Sequence, residues 1–283
     1  MKQTMRWVFI IACLALVCNV RAEEKFEAVY GRGPNRIIVA TASPGEIGLL
    51  QVIAEMFAKG HDATVCWRKA GSGESLKLLR DKEADAIMVH APDAEKKAVA
   101  EGWAIKQTLI GSNEFYIVGP KGDPAAIASA KTAVEAYQKI AAARAKFLSR
   151  ADNSGTHKKE MAVWKQAGID PKGDWYVETH DFMTATLLRA NEIGGYFMTD
   201  SSTWVATKRQ APNLTVLFKG DPILINVYHA LCQPEGATPG AALAAKFVDF
   251  LVSEEAQRAF ADFGKDRYGE ALYNDAAYAR QFK

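Results

Sequence analysis

The sequence predicts an α/β protein built on a mainly parallel, doubly wound sheet, and three observations predict it. Short apolar runs alternate with segments whose apolar residues recur every three to four positions, the pattern of strands alternating with helices. The run Ala86-Ile87-Met88-Val89 is apolar without alternation, as in a strand covered on both faces. Turns rich in hydroxyl residues follow the carboxyl ends of three strands, where sheets of this kind bind ligands.

The elements follow in order. Arg36 to Ala40 reads as a strand, and Gly48 to Lys59 as a helix with Leu49, Leu50, Ile53, Met56 and Phe57 on its apolar face. Thr64 to Trp67 is the next strand, followed by a helix from Glu74 carrying Leu76, Leu78 and Leu79. After Ala86 to Val89 comes Phe115 to Val118, ended by Gly119-Pro120. The pattern then restarts. Lys146 to Ser149 is a strand, Lys158 to Ala167 a helix stopped at Gly168, Met183 to Asn191 a helix, and Gly195 to Thr199 a strand. Val227 to Cys232 returns to the first half, and Ala241 to Val252 and Glu254 to Phe263 close over it as helices. Crossings near Val118 to Lys121 and Tyr228 to Gln233 make a two-strand hinge. The expected division is residues 23–119, then 120–228 as a second lobe, then 229–283 returning to the first.

Residues 1–22 read as an export signal. Lys2 and Arg6 precede an apolar run from Trp7 to Val17, and Val20-Arg21-Ala22 supplies small residues at the cleavage positions. The run is shorter than the roughly 20 apolar residues of a membrane span. Lipid attachment at Cys13 is disfavoured, because Leu14 to Val17 continue the apolar run beyond it. Loss of this segment takes 35 basic residues to 32 against 33 acidic ones, so the formal charge falls from +2 to −1. The balance gives no support for nucleic-acid binding. Cys66 and Cys232 remain, each inside an apparent strand. Both are read as buried thiols, with a bridge in an oxidising compartment as the alternative.

The three turns carry the candidate site. Thr41-Ala42-Ser43-Pro44-Gly45-Glu46 follows the first strand, Ala70-Gly71-Ser72-Gly73-Glu74-Ser75 the second, and Ser149 to His157 the strand at 146–149. Helix N-termini present unpaired N–H groups and a partial positive charge, so Thr41, Ser43, Ser72, Ser154 and Thr156 with Arg150 suit a small anion. Arg150 is hard to bury at such a junction without an anionic partner. Two plainer roles compete: Ser43 as N-cap of a capping box with Glu46, and Ser72 as a simple cap. Asp152 is read as orienting Arg150. His90, His157 and His229 lack the tight spacing of a metal site, and no metal or cofactor is expected. The tryptophans show no stacked sugar-binding pattern. Ser154 and His157 lack the Gly-x-Ser-x-Gly elbow of a hydrolase, so no catalysis is expected.

These residues carry a resemblance. Thr41-Ala42-Ser43 with Gly48-Leu49-Leu50, Ala84 to His90, Phe115 to Pro120, Ser149 to Glu160, Thr199-Asp200, Gly220-Asp221-Pro222, Tyr228-His229 and Phe263-Gly264-Lys265 resemble the periplasmic tungstate-binding proteins of ABC importers. The most specific stretch is Ser154-Gly155-Thr156-His157-Lys158-Lys159-Glu160. The resemblance implies a two-lobed, class II periplasmic binding protein that closes over an oxyanion, tungstate first and molybdate second, and hands it to a membrane permease. It implies no nucleic-acid partner and a monomer. The chain departs from the family wording at Ala42, Pro44, Glu46-Ile47 and Ala151, the last replacing a glycine. Other anions (phosphate, sulfate, a phosphonate or a carboxylate) and a sensory role on the same scaffold are the alternatives.

Overall fold

The computed structural model describes residues 25–282. The expected export segment, with Cys13 and Cys18, lies outside the described residues. Among the described residues ten strands are formed: β1 (Ala28–Gly31), β2 (Asn35–Thr41), β3 (Ala63–Lys69), β4 (Ala86–Val89), β5 (Ile105–Pro120), β6 (Phe147–Ser149), β7 (Tyr176–Glu178), β8 (Tyr196–Asp200), β9 (Leu214–Phe218) and β10 (Ile225–Cys232). They join in the order β1-β3-β2-β4-β10-β5-β8-β6-β7, with β9 beside β5.

The sheet is mixed. Parallel pairs, β3-β2-β4 in the first half and β8-β6-β7 in the second, are connected through helices as a doubly wound fold requires. The antiparallel pairs come from β1 and β9 and from the strands that pass between the halves. A chain that leaves along β5 and returns along β10 must run the two in opposite directions. β5 spans both halves: Glu114 still pairs Ile225 of β10, and the next residue, Phe115, pairs Asp200 of β8. The return passes through the short turn Pro222–Leu224 directly into β10.

Each half buries its own apolar faces. Helix Leu49–His61 buries Leu50, Ile53 and Phe57 with Ile37, Val39 and Val65, and Phe57 meets Phe247 of helix Ala241–Phe250 edge-on at 5.1 Å. In the second half Tyr137, Phe147 and Trp164 form a closed ring triplet with centroids 4.3 to 5.2 Å apart. Each such side chain contributes about 1.5–3 kcal/mol of burial. The triplet seats helix Gly155–Gln166 on β6 and so fixes the turn at its N-terminus.

Two helices begin earlier than the patterning suggests, at Ser72 and at Gly155. Both hydroxyl turns therefore sit directly on helix starts. Helices Pro92–Ala100 and Ala133–Ala142 are not evident in the patterning. Cys66 and Cys232 are both buried thiols. Two strands, β2 and β4, lie between theirs, a separation of about 14 Å at ~4.8 Å per strand, twice the reach of a disulfide.

Candidate anion-binding site

The first half contributes two turns. Thr41 ends β2 and is fully buried, and its hydroxyl donates to the Met88 carbonyl at 2.8 Å. Ser43 begins a short helix, Ser43–Glu46, whose N-cap is Ala42 with no side-chain cap, so the capping box does not form. Its Oγ instead donates across to Asp200 Oδ2 at 3.3 Å. Ser72 opens helix Ser72–Arg80 behind an N-cap of Gly71, so it does not cap either. Ser72 Oγ accepts from the His90 backbone N–H at 3.2 Å, which leaves its own O–H to donate elsewhere.

The second half contributes the loop from Ser149 to Thr156. Arg150 is 1% exposed. Its Nε donates to the Asp181 carbonyl at 3.1 Å and its Nη2 to Asp152 Oδ2 at 2.5 Å. Asp152 Oδ1 accepts from the Ser154 backbone N–H at 3.1 Å, so this carboxylate orients Arg150 and closes the turn together. Ser154 is the N-cap of helix Gly155–Gln166, its Oγ accepting from His157 N at 3.3 Å with its O–H unused. Thr156 Oγ1 is buried and has no hydrogen-bond partner among the described residues. His157 Nδ1 accepts from Asn153 N at 3.0 Å, which fastens the loop to the first helical turn.

The two helix starts face each other. A Cβ on Gly73 would lie 2.8 Å from the Asn153 carbonyl oxygen, and one on Gly155 would lie 2.5 Å from His90 Cε1 and Nδ1. The halves are thus in close contact, and these glycines make the approach possible. Ser72, Ser154 and His90 gather at one seam, with Thr156 and Arg150 on the adjoining second-half loop and Thr41 and Ser43 on the neighbouring first-half turn.

A polar chain that sequence patterning does not reveal runs through the crossing strands. His90 Nδ1 meets Asn226 Oδ1 at 2.9 Å, Asn226 Nδ2 donates to Asn113 Oδ1 at 2.7 Å, and Asn113 Nδ2 donates to Ser202 Oγ at 3.0 Å and Asp200 Oδ1 at 3.4 Å. A carboxylate at one end can only accept, so every donor in the chain points toward Asp200 and His90 carries its proton on Nδ1. Burial, with the Arg150 charge nearby, pushes His90 down to about 3, so its ring is neutral. Asp200 is buried and takes five donors: Ser43 Oγ, Asn113 Nδ2, Ser202 Oγ, Thr203 N and Thr203 Oγ1. The sequence signals for these residues are Thr199-Asp200 at a strand end and His90 closing the stretch Ala84 to His90; Asn113 and Asn226 look like ordinary strand polars.

Chemically the arrangement is a donor-rich seam. Two helix N-termini, three hydroxyls with unused protons and the free N–H groups of Arg150 lie along it, while Asp152 and Asp200 already accept from protein donors. Among the described residues no cluster of His, Cys, Asp and Glu is arranged to hold a metal ion.

Comparison with known proteins bears on the family of the chain. Residues 28–255 match the PBP superfamily domain. The tungstate-binding protein TupA of Peptoclostridium acidaminophilum is 33% identical over 287 residues, covering 98% of this chain and 99% of that protein. The structure of the tungstate ABC transporter from Geobacter sulfurreducens superposes with a TM-score of 0.75 at 37% identity, covering 82% of this chain and 100% of that one. The tungstate-binding protein TupA from Desulfovibrio alaskensis G20 superposes at 0.70 and 37% identity, covering 85% and 98%. The chain belongs to the PBP superfamily and, within it, to the family of these tungstate-binding proteins of ABC transporters.

Proposed function

We propose that this chain is the exported substrate-binding component of an ABC importer, taking tungstate first and molybdate second between its two lobes and delivering it to a membrane permease. The observation that carries the reading is a row of unused donors along the seam beside two carboxylates, Asp152 and Asp200, that protein donors already occupy. Ser72, Ser154, Thr156 and Arg150 have protons to give, whereas Asp152 and Asp200 are occupied. Tungstate and molybdate are unprotonated dianions near neutral pH and need donors only. Phosphate keeps a proton for part of its population and gains from an open acceptor.

The residues assigned to the anion are Arg150, Ser72, Ser154 and Thr156, with Thr41 and Ser43 shaping the first-lobe wall. Ser43 reaches the anion only by releasing Asp200. The lobes are taken as hinged beside Glu114 and Phe115 and between Asp221 and Ile225, a few residues before the sequence-based boundaries at 119 and 228. The protein acts as a monomer in the periplasm and performs no catalysis. His157, on the first helical turn after Ser154, has its Nδ1 engaged by Asn153 N and is not set as a base. Calorimetric titration of residues 23–283 with tungstate, molybdate, sulfate and phosphate tests the reading. Tungstate binding with a stoichiometry of one and far above sulfate supports it; tungstate no tighter than sulfate contradicts it.

A further inference from the structure

Lys69 ends β3 in the first half of the sheet, and its Nζ lies 2.7 Å from Glu46 Oε1 on the neighbouring turn. The same Nζ lies 4.1 Å from the centroid of the Phe182 ring, which belongs to the second half and immediately precedes helix Met183–Ile193. The other cation at that ring is Arg150, with Cζ 5.7 Å from the centroid. The Phe182 backbone is tied in place by its neighbour: Phe182 N donates to Asp181 Oδ1 at 2.7 Å, and the Asp181 carbonyl accepts from Arg150 Nε at 3.1 Å. One aromatic ring is therefore shared by an ammonium from one half and a guanidinium from the other.

These contacts differ in what they report. Glu46 with Lys69 lies within the first half and Arg150 with Phe182 within the second, so both survive separation of the halves. The contact between Lys69 and Phe182 exists only when the halves are together. We propose that Phe182 is the positioning residue of anion capture: its ring packs on Arg150 and, by accepting Lys69, holds the closed state over the bound anion. Glu46 serves the contact by fixing Lys69 and offsetting its charge, so that the ammonium docks on the ring rather than competing for the ligand. A ring does this better than an aliphatic chain of similar volume, because the attraction comes from its quadrupole.

An interaction made only in the closed state slows release and leaves encounter unchanged. The inference rests on tungstate being the ligand, and the experiment separates the two claims. Stopped-flow association and dissociation of tungstate are measured for wild type, Phe182→Leu, Phe182→Tyr, Lys69→Met and the Phe182→Leu/Lys69→Met double variant. Phe182→Leu, which keeps both cations, is expected to raise koff by about three- to tenfold with kon within about twofold of wild type. Phe182→Tyr restores the wild-type koff. The double variant releases no faster than the faster single variant, because both remove one contact. Wild type that does not bind tungstate overturns the ligand assignment. Wild type that binds, with Phe182→Leu releasing at the wild-type rate or with the two single effects multiplying in the double variant, overturns the role of Phe182.

Discussion

Ser43 Oγ and Asp200 Oδ2, 157 positions apart in the chain, meet at 3.3 Å across the seam between the halves of the sheet. Both residues are buried. The bond commits the single Ser43 proton to a carboxylate already held by Thr203 and Ser202, so the first-lobe wall is braced against the second lobe by protein groups. On the proposed reading, closure is therefore a property of the protein's own contacts as well as of the anion. Small changes at the seam shift it.

The sharpest such change is Gly155→Ala. The added methyl would lie 2.5 Å from His90 Cε1 and Nδ1, and the His90 ring is held by Asn226 behind it. Overpacking of this kind costs about 1–3 kcal/mol, and here the halves relieve it by staying apart. Tungstate affinity is expected to fall by about tenfold or more, with small-angle scattering showing no compaction on adding the anion. Wild-type affinity with normal compaction contradicts the close approach.

Hydroxyls are expected to divide by where their protons go. Thr156→Val removes a buried Oγ1 that has no partner among the described residues, and should weaken tungstate by about tenfold, the worth of one hydrogen bond to a charged group. Thr41→Val removes a donor committed to the Met88 carbonyl; affinity should stay within about twofold while stability drops by ~1 kcal/mol. Arg150→Lys keeps the charge without the fork and should fall between wild type and Arg150→Ala, which loses about ten- to a hundredfold. Equal losses for Thr41→Val and Thr156→Val in calorimetry would contradict this division.

Glu160 gives the pH prediction. It is 1% exposed, its Oε1 meets the Tyr176 hydroxyl at 2.7 Å, and burial pushes it up to about 8 from 4.5. A carboxyl raised in the folded state binds its proton more tightly there than in the unfolded chain. Its contribution to stability is fully present below pH 4.5 and is lost as pH rises toward 8. Glu160→Gln removes that loss while keeping size and an acceptor. The melting-temperature difference, variant minus wild type, should be larger at pH 8 than at pH 5. A difference equal at both pH values, or larger at pH 5, argues that Glu160 ionises normally.

Ala151 holds a left-handed backbone, φ +49°, between Arg150 and Asp152, at the position where the family wording has glycine. That conformation costs a non-glycine residue about 1–2 kcal/mol. Ala151→Gly relieves it, partly offset by the ~0.4–1 kcal/mol that glycine returns to the unfolded chain. Net stabilisation by a few tenths to about 1 kcal/mol in urea denaturation is expected, with tungstate affinity unchanged or improved. Destabilisation by Ala151→Gly would mean that the loop relaxes once this residue changes.

How much of this was legible follows the chemistry of each piece. Ile37 to Ala40 and Ala86 to Val89 were readable as unbroken apolar runs, and the helix through Leu50, Ile53 and Phe57 because burial of one face imposes a period. The first half of β5 was not, because Lys106, Gln107, Thr108, Ser112 and Asn113 break the apolar pattern in a strand whose partners come from distant sequence. Helix Pro92–Ala100 hid for a similar reason, its buried side consisting of Ala98 and the buried carboxylate Glu95. The three turns were visible from their hydroxyls. The direction of each hydroxyl was not, so nothing in the sequence separates Thr41, turned to Met88, from Thr156, which has no partner among the described residues. Asp200, Asn113, Asn226 and His90 converge only through topology.

Diffraction from crystals grown with tungstate, collected at a tungsten absorption edge, tests the central claim most directly. The account predicts one strong anomalous peak at the seam between the halves, within hydrogen-bonding distance of the Arg150 guanidinium and of the Ser72, Ser154 and Thr156 hydroxyls. A peak elsewhere on the protein, or no ordered peak at saturating tungstate, contradicts it.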